Sequence, residues 1–193
     1  MPARQIRSFV QRAGRLTSAQ ERALKTLWPL FGLPADRAFT PEEIFPRPAP
    51  LILEIGFGNG ESLVQMATQY PRFNYLGVEV HLPGVGHLLL RLAELGLENV
   101  RIYCADAVDV LSFCLAEEAC SRINIFFPDP WPKKRHHKRR LIQPPFVALL
   151  SSRLQPGGIL HLATDWPDYA RHMQHAVSSC LALRPIDPRI LIP

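Results

Sequence analysis

Short apolar segments alternate with segments of helical periodicity along most of this chain, and that alternation limits the fold more than any other feature. The apolar segments predict five strands, at residues 51–55, 74–80, 100–104, 122–127 and 158–163. The segments between and after them predict helices at 61–69, 84–95, 107–116, 145–154 and 168–181. Because the strands are apolar almost throughout, they fit a parallel sheet with helices on both faces. The sequence therefore predicts an α/β domain over residues 51–193.

The first 50 residues differ in composition from the rest. Arg and Lys recur up to about residue 27, and prolines are frequent between residues 28 and 50. We interpret residues 1–50 as a basic N-terminal arm and a Pro-rich connector, with ordered structure beginning at Leu51. The whole chain has 22 Lys and Arg against 17 Asp and Glu, a net charge of +5, which favours a polyanionic partner.

Other features narrow the class of protein. The four cysteines form no C-x-x-C pair and lie in apolar segments, so we expect buried free thiols and a cytoplasmic protein. The chain has neither an apolar run long enough to span a membrane nor the core of a signal peptide, so no membrane partner is predicted. His172 and His175 are three residues apart on a predicted helix, but they have no evident third ligand and favour a solvated face over a metal site.

Each predicted strand ends at or next to an acid. The acids are Glu54, Glu79, Asp106, Asp129 and Asp165. Any one of them could simply cap a helix. Because the carboxyl ends of parallel strands share one edge, where ligands bind in such sheets, we expect all five to surround one pocket.

A glycine loop follows the first strand, with Gly56, Gly58 and Gly60 after Glu54. Such a loop lets the backbone approach either a dinucleotide or S-adenosylmethionine. Glu54 would repel a pyrophosphate but attract the ammonium and sulfonium of S-adenosylmethionine, whose carboxylate the loop N–H groups could bind. Glu79 is placed to accept hydrogen bonds from the ribose hydroxyls of either cofactor, and Asp106 to accept a hydrogen bond from the adenine amino group. A nicotinamide cofactor stays an alternative at this point.

A basic segment follows the strand at 122–127. It reads Pro-Asp-Pro-Trp-Pro over residues 128–132 and then Lys-Lys-Arg-His-His-Lys-Arg-Arg over residues 133–140. Such a run is usually a solvated surface. Here the cations begin at Lys133, four residues after Asp129, so they could hold the phosphates of a polynucleotide beside the pocket. The ring of Trp131 offers a plane on which a displaced base could stack.

In these motifs and in several other blocks, the chain resembles the bacterial tRNA (guanine-N7)-methyltransferases. The matching blocks are I-R-S-F-V at 6–10, G-R-L-T at 14–17, L-E-I-G-F-G-N-G at 53–60, G-V-E-V-H at 77–81, D-A at 106–107, F-F-P-D-P-W at 126–131 and A-T-D-W at 163–166. The resemblance implies a Rossmann-like class I methyltransferase fold that uses S-adenosylmethionine. It also implies methyl transfer to the variable-loop guanosine 46 of tRNA. We expect a monomer or weak homo-oligomer.

The resemblance also implies roles for individual residues. Asp129 corresponds to the catalytic residue and, with Glu54, Glu79 and Asp106, to the cofactor-site acids. Lys133 and Asp165 correspond to substrate contacts. The RNA-interaction segment corresponds to Arg135, His136, His137, Lys138, Arg139 and Arg140.

The family's closing block, with Thr-Lys and a following Glu, has no match here, and the two strands that normally complete the fold are not predicted. An open sheet edge favours association. We therefore expect impaired catalysis, with a homologue that only binds tRNA as the alternative.

Overall fold

A six-stranded parallel sheet forms the centre of the computed structural model, which describes residues 14–187. The strand order is β1-β4-β3-β2-β5-β6, and all five neighbouring pairs are parallel. The strands are β1 (Gly32–Leu33), β2 (Leu51–Ile55), β3 (Asn74–Glu79), β4 (Val100–Cys104), β5 (Cys120–Phe126) and β6 (Leu154–Ala163). The predicted α/β parallel fold is confirmed.

Helices connect the strands. They are α1 (Ser18–Thr26), α2 (Trp28–Phe31), α3 (Pro41–Ile44), α4 (Glu61–Gln69), α5 (Leu82–Leu95), α6 (Ala107–Asp109), α7 (Pro144–Arg153) and α8 (Pro167–Ser178). The helix expected over 107–116 is instead α6 followed by a π-helical turn, Val110–Cys114. The basic segment forms a 3₁₀-helix at Lys134–Arg139, which was not predicted from the sequence.

The sheet is buried on both faces. On one face Ile52 packs into a core with residues of α4 and α5, such as Leu63 and Leu88. On the other face the next residue of β2, Leu53, packs into a second core with Val147 of α7. Successive residues of a strand point to opposite faces, so both must be apolar here. This explains why the strands read as continuous apolar segments.

Ordered structure begins well before Leu51, so that expectation was wrong. Helix α1 starts at a capping box, in which the Thr17 hydroxyl accepts from Gln20 N and the Gln20 side chain accepts from Thr17 N. The helix buries Ala23 in the α4–α5 core. Two of the prolines taken as signs of a connector, Pro29 and Pro41, instead lie in the first turns of α2 and α3, where a missing N–H costs nothing. The arginines before residue 14 lie outside the described residues.

Two further expectations concern the described residues alone. The four cysteines are free thiols, as predicted, but only Cys114 and Cys120 are buried, and Cys104 and Cys180 are half-buried. Among residues 14–187, no helix has both the length and the apolar character needed to cross a membrane.

Candidate active site

A cleft of about 480 Å³ opens where β2, β3, β4 and β5 end. Three of the predicted site acids line it: Glu79, Asp106 and Asp129. Two loop glycines, Gly56 and Gly58, line it as well. Residues more than 70 positions apart in the sequence therefore meet at one edge of the sheet, as the topology predicts.

The glycine loop has a backbone that other residues would rarely adopt. Gly56, Gly58 and Gly60 have φ angles of 75°, 58° and 83°, all left-handed. Their N–H groups are already used: Gly56 N donates to Val78 O, and Gly60 N donates to Phe57 O, each at 2.8 Å. Gly58 N donates to a carboxylate oxygen of Glu79 at 2.9 Å. These three N–H groups are therefore engaged within the protein, and the expectation that N–H groups of the loop bind a ligand carboxylate stays a prediction.

Glu79 holds the loop in place from the end of β3. Its Oε2 accepts from Gly58 N, and its Oε1 accepts from Val80 N at 2.7 Å and from His81 N at 3.0 Å. A carboxylate has about four acceptor sites, so this one retains capacity for a ligand donor. Glu79 thus fixes the shape of the cleft wall that it also forms.

Asp106 lies at the end of β4 and begins α6. Its Oδ1 accepts from Val108 N at 2.9 Å, which makes it the N-cap of this short helix. It also lines the cleft. Asp106 therefore caps α6 and also lines the cleft.

Glu54 and Gly60 lie outside the cleft lining, so the expected gathering of the glycine-loop residues is incomplete. The Glu54 side chain is buried at 3% exposure, next to the loop, and burial raises its pKa to about 7 despite a hydrogen bond with Ser62. Its Oε2 has no hydrogen-bond partner. A buried carboxyl oxygen without a partner costs free energy, and a nearby cation would offset that cost.

The segment carrying Asp129 is held in an unusual conformation. Asp129 is exposed and lies between two prolines, and the residues two before and two after it, Phe127 and Trp131, have φ angles of 50° and 46°. Left-handed backbone is unfavourable for bulky residues and persists only where the surroundings impose it. The carbonyl of Pro130 accepts a hydrogen bond from Arg140 Nε at 2.9 Å, which is one such restraint.

Arg140 was predicted to contact RNA, and the structure contradicts this prediction. Arg140 is only 2% exposed. Besides its bond to Pro130, its guanidinium donates to Asp168 at 2.6 Å and lies over the ring of Tyr169. A side chain enclosed in this way supports the loop from beneath and does not reach a phosphate.

The remaining cations of the basic segment lie on the surface. Lys133, Lys134, Arg135 and Lys138 are exposed, whereas His136, His137 and Arg139 are half-buried. Arg139 lies over the Trp131 ring, 5.0 Å from its centroid, and His136 meets that ring edge-on. Trp131 therefore packs against the 3₁₀-helix and is not among the residues that line the cleft.

Asp165 and Lys133 are exposed and lie outside the cleft lining. Asp165 follows β6, which pairs with β5 up to Phe126 and Ala163, so it lies beyond the end of the neighbouring strand. Five carboxylates around one pocket were expected, and three line it. Phe127 and His81 also line the cleft, although neither was predicted as a site residue. Phe127 directly follows β5, and His81 lies two residues after the end of β3.

Comparison with known proteins places this chain. It is 53% identical over 177 residues to the tRNA (guanine-N(7)-)-methyltransferase of Alcanivorax borkumensis, an alignment that covers 91% of this chain and 74% of that protein. It is 54% identical to the protein of the same name from Methylococcus capsulatus, over 94% of this chain and 79% of that one. The chain belongs to this tRNA (guanine-N(7)-)-methyltransferase family. Residues 48–189 also match a family described as "Putative methyltransferase".

Solved structures agree with the fold. The antibiotic-resistance methyltransferase Kmr superposes with a TM-score of 0.51 at 18% identity, covering 72% of this chain and 79% of that one. Geranyl diphosphate methyltransferase gives a TM-score of 0.53 at 16% identity, covering 83% of this chain and 57% of that one. At such low identity these likenesses establish the class I methyltransferase fold alone.

Proposed function

We propose that this chain transfers the methyl group of S-adenosylmethionine to N7 of a guanine in tRNA, the variable-loop guanosine 46. Membership of the family supports the activity. The observation that carries the proposal is the place of Asp129, which lines one cleft with Glu79 and Asp106 and lies four residues before the exposed Lys133. One surface thus joins an acidic cleft to a cationic segment.

The residues present suit S-adenosylmethionine better than a dinucleotide. A Cβ added at Gly56 or Gly58 would meet nothing within 4 Å, so the loop leaves open space for a ligand against its backbone. The nearby Glu54 carboxyl oxygen that lacks a partner would gain from a cationic ligand and would repel a pyrophosphate. This argues against the nicotinamide alternative.

Within the cleft, each acid has a distinct task. We assign Glu79 to the ribose hydroxyls, because its carboxylate is fixed at the cleft wall by three backbone N–H groups. Asp106 is assigned to the adenine amino group, and Glu54 to the ammonium through charge from behind the loop. S-adenosylmethionine supplies the methyl group as an electrophilic carbon on a sulfonium.

The acceptor needs alignment more than a base. Guanine N7 carries an in-plane lone pair, so no proton has to leave before the N7–carbon bond forms and the carbon–sulfur bond breaks with its electron pair going to sulfur. The purine gains positive charge in this step. Asp129, exposed in the cleft, can accept from the guanine N1–H and amino group and so stabilise that charge. Asp165, which follows the neighbouring strand β6, is assigned to contact with the substrate nucleotide.

The tRNA would be held by exposed cations. We assign the exposed Lys133 to the phosphate nearest the acceptor, and Arg135 and Lys138 to phosphates further along the backbone. His136, His137 and Arg139 lie in the same segment and contribute at its half-buried side. Such contacts give affinity without sequence choice. The free thiols fit a cytoplasmic enzyme, which we propose acts as a monomer or weak homo-oligomer.

The test combines labelled methyl donor with unmodified tRNA, followed by chain cleavage specific for 7-methylguanosine. We expect label at one guanosine of the variable loop. Asp129→Ala should abolish methylation and keep tRNA affinity, whereas Asp109→Ala, an exposed acid outside the cleft lining, should change neither. Label on another atom, or on no nucleotide, would contradict the proposal. Binding of tRNA without methyl transfer would favour the alternative of a homologue that only binds tRNA.

A further inference from the structure

Phe127 is a large apolar side chain exposed at the mouth of the cleft. It is 65% exposed, although it directly follows the buried strand β5, and it lines the cleft with Asp129. Exposing an aromatic ring to water loses the free energy that its burial would give. An aromatic in such a position is expected to have a partner that buries it.

The backbone holds Phe127 in this place. Its N–H donates to Ala163 O at 2.8 Å, which extends the pairing of β5 with β6 by one residue. Its φ of 50° is left-handed, an unfavourable conformation for a phenylalanine. Strained residues of this kind are concentrated at ligand-binding sites, where the surrounding structure enforces them.

The other aromatics of the same segment are already engaged. Phe126 meets the ring of His161 edge-on, with 4.9 Å between centroids. Trp131 has Arg139 over its ring and His136 against it. Within residues 126–131, Phe127 is therefore the aromatic that combines high exposure with a place in the cleft lining.

We propose that Phe127 is the platform on which the target guanine stacks. The inference rests on the proposed function and adds a binding residue to it. A base turned out of tRNA must replace the stacking that it loses, and an aromatic ring beside Asp129 supplies it. The face of a phenyl ring also attracts cations, so it favours a guanine that becomes positive as N7 is methylated. Phe127 would therefore act on binding and on turnover.

Kinetics test this first. We expect Phe127→Ala to lower kcat/KM for tRNA by roughly 5- to 150-fold, the range that base stacking on an aromatic gives. Affinity for S-adenosylmethionine, measured separately by calorimetry, should change less than about twofold. Phe127→Tyr should keep kcat/KM near the wild-type value, whereas Phe127→Leu, which is apolar but not aromatic, should fall towards the value of Phe127→Ala. The matched control is Phe113→Ala, because Phe113 is 71% exposed and lies outside the cleft lining.

A second measurement does not depend on turnover. It compares the affinities of two tRNAs, one with the acceptor guanosine and one with an abasic ribose in its place, for the full chain with S-adenosylhomocysteine present. The wild-type protein should prefer the intact tRNA, and Phe127→Ala should reduce that preference to the part that Asp129 still gives, so the two changes are not additive. Phe113→Ala should keep it.

The outcomes separate the two proposals. If wild-type protein forms no 7-methylguanosine but the preference for intact tRNA depends on Phe127, the stacking platform stands and the catalytic proposal fails. If wild-type protein methylates tRNA and Phe127→Leu matches Phe127→Tyr, or the two changes in the affinity comparison are additive, the stacking proposal is overturned.

Discussion

The guanidinium of Arg140 donates a 2.6 Å hydrogen bond to Oδ2 of Asp168, which joins the basic segment to the first turn of α8. The same side chain donates to the carbonyl of Pro130, next to Asp129. The hydrogen bond from Arg140 lowers the pKa of Asp168, so the pair stays charged over a wide pH range. The position of the Asp129 segment therefore depends on a buried cation that never meets the substrate.

Arg140→Ala should lower the free energy of unfolding by about 1.5–3 kcal/mol, since it removes hydrogen bonds from a charged donor and leaves the Pro130 carbonyl without that donor. Urea unfolding followed by circular dichroism measures this. Arg135→Ala is the matched control, because this exposed residue should change stability by less than about 0.5 kcal/mol. Equal stability of the two variants would show that the Arg140 contacts do not support the fold.

The exposed cations are expected to act through phosphates. Each of Arg135→Ala and Lys138→Ala should weaken tRNA binding and reduce the slope of log affinity against log salt by about 0.7–0.9. Filter binding over a range of salt concentrations measures the slope, and Arg135→Lys should retain it because the charge is kept. Arg140→Ala should leave the slope unchanged, because that guanidinium is buried. If the slope of log affinity against log salt fell by about one unit in Arg140→Ala, Arg140 would be shown to contact an RNA phosphate.

Strands β2 to β6 and the edge that carries the site could be predicted from the sequence, because apolar runs and glycine turns are local signals, whereas β1 was missed. Leu51–Ile55 and Val100–Cys104 were predicted with the bounds that the structure gives. The buried state of Arg140 could not be predicted, because it depends on Asp168, which is 28 residues away in the sequence. The position of a residue within the basic segment does not reveal whether its side chain is buried or exposed.

The order before Leu51 was missed for a similar reason. The prolines of residues 28–50 were taken as breaks, but Pro29 and Pro41 begin helices. The ladder between Gly32 and Ile102 joins residues 70 positions apart, which no local pattern reports. At the site, the exposed Phe127 is the last residue of the strand predicted at 122–127 and is apolar like Phe126, so the sequence alone gave no sign that it leaves the core.

Glu54 should make stability depend on pH. Burial raises its pKa from 4.5 to about 7, so between these values the folded chain holds a proton that the unfolded chain has released. Stability from this group is therefore greatest below pH 4.5 and falls as the pH rises towards 7, by at most about 3 kcal/mol. Glu54→Gln cannot titrate, so its stability relative to wild type should increase across this interval. Unfolding at several pH values measures the difference, and a constant difference would contradict the raised pKa.

The contact between α5 and the glycine loop gives the last prediction. A Cβ added at Gly84 would lie 2.1 Å from the carbonyl oxygen of Gly58, so Gly84→Ala must push the loop and disturb the hydrogen bond between Gly58 and Glu79. We expect a loss of stability of about 1–3 kcal/mol together with a marked loss of S-adenosylmethionine affinity in calorimetry.

Gly86, two residues further along the same helix, provides the matched control for Gly84→Ala. A Cβ there would lie 2.8 Å from the Cβ of Gln20 in α1, on the side of the helix away from the loop. Gly86→Ala should therefore cost a similar amount of stability through overpacking but retain cofactor affinity. Because both variants add one methyl group to α5, only a direct effect on the loop separates them. Equal affinities for S-adenosylmethionine in the two variants would show that the loop does not form the cofactor site.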